Sequence, residues 1–199
     1  MMKNRLLRLY AGLILFGFSS ALMVRCGLGL KPWDVLHHGL SKSTGWSFGS
    51  VVIASGAVVL LLWIPLRQKP GIGTLSNVIV IGLVADAAIR LIPLLEGWAR
   101  YLLLVVGILL NGVATAAYIG AGLGPGPRDG LMTGLAERTN WRVGHVRTAI
   151  EVAVLGIGWF LGGAVGIGTL LYALAIGPIV QRLLPRLAIT PAGFRDTVP

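Results

Sequence analysis

Residues 12–75 of this chain recur without a gap as residues 107–170. A shift of 95 positions gives about 25 identities in 64. The centre of the repeat runs from Gly27 to Asp34 as GLGLKPWD and from Gly122 to Asp129 as GLGPGPRD. Behind each Asp come the same Leu (Leu36, Leu131), Gly-Leu (Gly39-Leu40, Gly134-Leu135), Thr (Thr44, Thr139), Trp (Trp46, Trp141) and Gly (Gly49, Gly144). The block GIGTL closes both copies, at Gly71–Leu75 and Gly166–Leu170. Two copies in register must share one backbone plan, so whatever the first half folds into, the second repeats.

Hydrophobic residues make up 55% of the chain and charged residues 12%, with a mean hydropathy of +0.83. A soluble domain carries about 25% charge, so this chain cannot clothe a water-facing surface and is read as an integral membrane protein. The net charge of +10 does not point to nucleic acid, because no basic soluble module is present. In a chain of membrane spans, basic residues mark topology and meet lipid headgroups. The single cysteine, Cys26, excludes an intrachain disulfide. Lys3, Arg5 and Arg8 before an apolar run from Leu9 to Ala21 imitate a signal peptide. That run aligns with Val106–Ala116 inside the chain, so it is expected to be a retained helix.

Apolar runs long enough for a bilayer of about 30 Å predict six transmembrane helices, near 7–26, 46–66, 73–93, 98–120, 142–162 and 168–186. Between the first two, and between the fourth and fifth, lies a semi-polar segment holding GLG…PxD. Pro32 and Pro127 suit a helix's first position, and Asp34 and Asp129 its first turn. Short helices are therefore expected at 32–43 and 127–138, broken or re-entrant, or lying on the interface. Repeat 1 covers about 7–93 and repeat 2 about 98–186 of a single membrane domain, with a tail at 187–199.

With the N-terminus in the cytoplasm, eleven basic residues fall on cytoplasmic ends and five, Arg25, Lys31, Lys42, Arg90 and Arg100, on outer ends. The positive-inside rule thus predicts both termini in the cytoplasm. Each repeat holds three spans, an odd number, so the copies are expected to face opposite ways. Inverted-topology repeats of this kind build secondary transporters with a site near the midplane.

The pattern GLG-x-x-P-x-D-x-L-x-x-GL-(x)₃-T-x-W-x-x-G, present in both halves, resembles the YczE/YyaS/YitT group of small bacterial multi-pass membrane proteins. The resemblance to the YczE branch covers nearly the whole chain. It implies a bacterial cytoplasmic-membrane protein of about six spans and brings no substrate or catalytic residue. The second copy departs from the fuller pattern, with Arg128 for Trp33 and Met132-Thr133 for His37-His38.

Asp34 and Asp129 are the matched candidates for a substrate or ion site, with Lys31 and Arg128 beside them; the alternative is that each Asp only caps its short helix. Arg147 and Glu151 stand four apart on the fifth span. Glu151 lies ~15 Å along that helix from Trp141, near mid-bilayer, where charge is costly. They are read either as a coupling carboxylate held by arginine or as a self-neutralising pair. Asp86 and Arg90 form a second expected i,i+4 pair. His37 and His38 point about 100° apart on a helix, which argues against joint metal chelation and leaves a proton relay or a plain polar face. Asn111 and Tyr118 are candidates to line a cavity. Trp33 is a candidate of the first half alone.

Four classes of function remain, one of them a channel formed by six-span protomers around a shared pore. The first is a small secondary transporter or permease-like protein with a polar site between the repeats. The second is a non-transporting accessory, assembly or regulatory factor, with a homo-oligomer or a membrane partner protein as its complex. An intramembrane enzyme is disfavoured, since HExxH, GxSxG and a cysteine cluster are all missing. No metal, cofactor or ATP-binding motif is implied, and the partners expected are the lipid bilayer and a small molecule or ion.

Overall fold

The computed structural model describes residues 2–188, and these form eight helices without strands. They are α1 (Met2–Cys26), α2 (Pro32–Thr44), α3 (Phe48–Leu66), α4 (Ile72–Leu91), α5 (Ala99–Gly120), α6 (Pro127–Thr139), α7 (Val143–Phe160) and α8 (Ile167–Leu187). Six of them, all but α2 and α6, are long and apolar enough to cross a membrane. Large apolar side chains such as Leu61, Ile64, Leu83, Leu102 and Leu174 stand on the outside, which suits a bilayer rather than water. The observed ends fall within a few residues of those expected, except that α1 starts five residues earlier. The expected tail begins inside α8, which runs to Leu187; residues 189–199, Arg195 among them, lie outside the described residues.

The short helices start and stop for local reasons. Pro32 and Pro127 occupy first-turn positions, where a missing N–H costs nothing. Gly45 and Asn140 end α2 and α6 in left-handed conformation, at φ 75° and 57°. At 13 residues each, they reach about 20 Å, too short to span. Both bury side chains among the long helices: Trp33, Asp34, Val35 and His37 from α2, Leu131 and Met132 from α6.

Equivalent positions of the two copies make equivalent contacts. Gly73 N–H donates to the Leu123 carbonyl and Gly168 N–H to the Leu28 carbonyl, both at 2.8 Å. Gly29 and Gly124 adopt φ of 114° and 120°. A Cβ on Gly29 would lie 2.6 Å from the Gly166 nitrogen, and one on Gly124 2.9 Å from the Thr74 hydroxyl. The GLG of each copy therefore nests against the GIGT of the other. The same exchange appears upstream of residue 12. Arg5 donates to the Ala121 and Gly122 carbonyls at the end of α5, and Arg100 to those of Cys26 and Gly27 at the end of α1. A guanidinium there satisfies carbonyls that the helix leaves open and complements its dipole.

α1 and α5 pack closely at the centre, flanked by α4 and α8 respectively. Each short helix rests on a span of the other copy, α2 on α7 and α6 on α3. Trp63, 2% exposed, lies against Gly130 and donates its indole N–H to the Pro127 carbonyl at 2.9 Å. A Cβ on Gly130 would sit 2.1 Å from that ring. Gly130→Val is expected to cost about 1–3 kcal/mol by overpacking, read as a lowered unfolding temperature in detergent.

The copies differ at one packing seam. Gly49 of α3 and Gly82 of α4 interlock: a Cβ on either would come within 2.6 Å of the other's carbonyl. Their counterparts 95 positions on, Gly144 of α7 and Gly177 of α8, have nothing within 4 Å of such a Cβ. The seam between α3 and α4 is closed, and the corresponding one between α7 and α8 is open.

Candidate functional site

Asp34 is 2% exposed, and its neighbours explain how a carboxylate survives there. It stands in the first turn of α2, yet no side chain caps that helix. Instead, residues 31–37, about two helical turns, gather three ionisable groups. The Lys31 ammonium lies 3.3 Å from Asp34 Oδ2, and His37 Nδ1 lies 3.4 Å from Oδ1. Lys31 is 3% exposed and donates to the Ser20 hydroxyl of α1 at 2.8 Å. Its ammonium also sits 3.8 Å over the Phe16 ring, an added attraction for a desolvated cation. His37, wholly buried, meets the Ser55 hydroxyl of α3 through Nε2 at 2.8 Å. A buried polar chain thus runs Ser20–Lys31–Asp34–His37–Ser55 and ties α2 to two spans.

Lys31, counted above among outer-end topology markers, is thereby reassigned: its charge is enclosed by protein and does not meet headgroups. His37 and His38 diverge as expected. His38 Nδ1 accepts the Ala164 N–H at 3.2 Å, in the loop between α7 and α8.

A second network adjoins the first on α1. Asn111, wholly buried on α5, donates to the Ser19 hydroxyl at 2.7 Å and accepts from the Tyr172 hydroxyl of α8 at 3.0 Å. Ser19 and Ser20 are neighbours, so the two networks abut. In the second copy, Asp129 also leaves its helix uncapped and accepts the Tyr118 hydroxyl at 3.0 Å. The position equivalent to Lys31 is Gly126, where a Cβ would lie 2.9 Å from Asp129 Oδ2. The second carboxylate therefore has no internal ammonium.

Trp33 and Arg128 occupy the same position of the two copies, and they touch. The guanidinium carbon lies 4.8 Å over the indole ring. Trp33 is 8% exposed, and its indole N–H has no acceptor.

Arg147 and Glu151 pair as expected, Nε to Oε1 at 3.0 Å, with side chains 56% and 33% exposed. Asp86 and Arg90 do not. Asp86 accepts the Ser47 hydroxyl and, at 2.6 Å, the Gly49 N–H, so it caps the start of α3 from α4. The expected i,i+4 pair is corrected for a physical reason. An open helix N-terminus offers a carboxylate fixed N–H donors, whereas the exposed Arg90 offers only a mobile charge.

Of the candidates, the fold brings Lys31, Trp33, Asp34, His37 and Arg128 into one neighbourhood, with Asn111 joined through α1. Asp129 holds the matching place of the second copy. Arg147–Glu151 stands partly exposed on α7, and Asp86, Arg90 and His38 stand apart. Ser20, Ser55, Phe16 and Tyr172 escaped the sequence reading because a lone hydroxyl or ring on an apolar helix carries no local signal.

No solved structure matches the chain. An uncharacterized protein of Haemophilus influenzae is 39% identical over 180 residues, covering 90% of this chain and 83% of that one. The uncharacterized membrane protein YczE of Bacillus subtilis is 35% identical, covering 89% and 84%. The uncharacterized protein YyaS of the same organism is 25% identical, covering 87% and 89%. A family described as of unknown function, DUF6198, matches residues 3–185, nearly all of the six-span architecture; this membrane protein belongs to that family.

Proposed function

We propose that the protein is a small secondary transporter of the bacterial cytoplasmic membrane, with both termini in the cytoplasm, working by alternating access between two inverted repeats. The observation that carries this reading is the unequal seam: Gly49 and Gly82 interlock while Gly144 and Gly177 stand apart. If α2 and α6 are re-entrant, α3 begins on the outer side and α7 on the cytoplasmic side. The closed seam then seals the outside, and the open one leaves a cytoplasmic cleft. Two copies of one backbone plan can exchange these conformations, and the exchange converts an inward-open protein into an outward-open one.

Three features support the reading. The buried polar networks lie between α1, α2, α3, α5 and α8, where both repeats contribute. Asp86, which holds the closed seam through Ser47 and Gly49, has Gln181 as its counterpart, a side chain able to serve the other seam. Arg147 and Glu151 replace Val52 and Gly56 on the face of α7 that corresponds to the α4-facing side of α3. A charged pair facing lipid would be costly; a pair facing a watered cleft is not.

Cross-linking tests this without a known substrate. In a Cys26→Ser background, Gly144→Cys with Gly177→Cys is expected to form a disulfide in native membranes under mild oxidant, as the open seam visits the closed form. Disulfides require Cα atoms within about 7 Å. Complete absence of the cross-link would show a static protein and remove the proposal.

A further inference from the structure

From the contact between Trp33 and Arg128 we infer a binding site for a small oxyanion, a carboxylate or phosphate group, at these two side chains from the first turns of α2 and α6. The inference deepens the transporter reading by naming the class of its cargo, and it rests on that reading only for the cargo role.

Geometry comes first. Trp33 and Arg128 are the second residues of α2 and α6, so their contact joins side chains from the first turns of two helices. Neither N-terminus has a side-chain cap. Each presents open backbone N–H groups and roughly half a positive charge. Each first turn also carries a carboxylate, Asp34 in α2 and Asp129 in α6.

Charge comes second. Asp34 is held by Lys31 and His37, and Asp129 takes the Tyr118 hydroxyl. Arg128 forms no ion pair among the described residues and has an aromatic face as its partner. Lys31 and Arg128 balance the two carboxylates. The partial positive charge of each helix start is left over from that balance. A cation would add to that excess; one anion would cancel it.

Unmet hydrogen bonding comes third. The Trp33 indole N–H is buried without an acceptor, a cost that a ligand oxygen removes. The guanidinium over the ring forms no ion pair among the described residues, and a free fork of donors suits a two-oxygen acceptor. The indole N–H and the guanidinium fork are donors, which favours an acceptor group; the adjacent Asp34 Oδ2, also without a hydrogen bond, faces the Lys31 ammonium at 3.3 Å.

The test is binding by the purified full-length protein in a neutral detergent, with sodium acetate and sodium phosphate as probes and sodium chloride at matched ionic strength as reference. Acetate or phosphate is expected to raise the unfolding temperature above the chloride value. Arg128→Gln should abolish the shift. Trp33→Phe keeps the ring and loses the donor, and should weaken binding about tenfold. Lys69→Gln, outside the site, should bind as the parent does. If Arg128→Gln does not fold, Arg128→Lys replaces it and should also weaken binding, since an ammonium lacks the fork. No shift with either anion, equal shifts in the parent and the Arg128 variant, or stabilisation by phosphatidylglycerol micelles alone would each overturn the inference. Binding without flux into proteoliposomes would sink the transporter reading and leave the site standing. Flux unchanged by Arg128→Gln would do the reverse.

Discussion

Lys31→Met is expected to destabilise the folded protein by about 3–5 kcal/mol, the loss seen when one member of a buried ion pair is removed. Asp34 is 2% exposed and Lys31 3% exposed, so water cannot replace the missing ammonium. His37 lies 3.4 Å from the other carboxylate oxygen and makes no hydrogen bond through Nδ1, so it does not take the ammonium's place. Removing both charges is a different experiment. Lys31→Met with Asp34→Leu takes away the attraction and the desolvation cost together, and it should recover most of the lost stability. Thermal unfolding in detergent reads both variants. A double variant as unstable as Lys31→Met would mean that packing around α2, rather than an orphaned carboxylate, causes the loss. The distinction bears on function, since a pair dispensable for folding is retained for another reason.

Gly29→Ala is expected to abolish accumulation of folded protein, and Gly124→Ala to do nearly the same. At φ 114° and 120°, a side chain is strained by about 1–3 kcal/mol. The added methyl also lands on neighbouring atoms, 2.6 Å from the Gly166 nitrogen in one copy and 2.9 Å from the Thr74 hydroxyl in the other. Overpacking adds about 1–3 kcal/mol more. Relief would require pulling GLG away from GIGT, which breaks the 2.8 Å hydrogen bonds from Gly168 to Leu28 and from Gly73 to Leu123. Detergent-extracted, monodisperse protein on size-exclusion chromatography is the readout. Gly144→Ala supplies the contrast: its site is open, so it should behave as the parent does. A tolerated Gly29→Ala would mean that the two GLG turns do not set the joint between the copies.

Most of the architecture is legible in the sequence, and the reason is physical. Membrane spans declare themselves by length and apolarity, which are local properties, and the six expected helices match the observed ones closely. The short helices were legible because Pro32, Pro127, Gly45 and Asn140 act through backbone geometry within a few residues. The pairing of Arg147 with Glu151 was also local, being one helical turn.

Partnerships made across the fold were not legible. Asp86 and Arg90 have the spacing of an ion pair, yet an amide at the start of another helix outcompetes the arginine. Lys31 read as a surface charge because nothing in its neighbours announces that Ser20 and Phe16 will enclose it. The duplicated GLG…PxD block implied two similar halves. It could not show that positions 33 and 128 stack on each other, or that one glycine seam is closed and its counterpart open. Two copies of one sequence carry the same local preferences, so a difference between them arises only from how distant helices pack, and that is settled by the whole assembly.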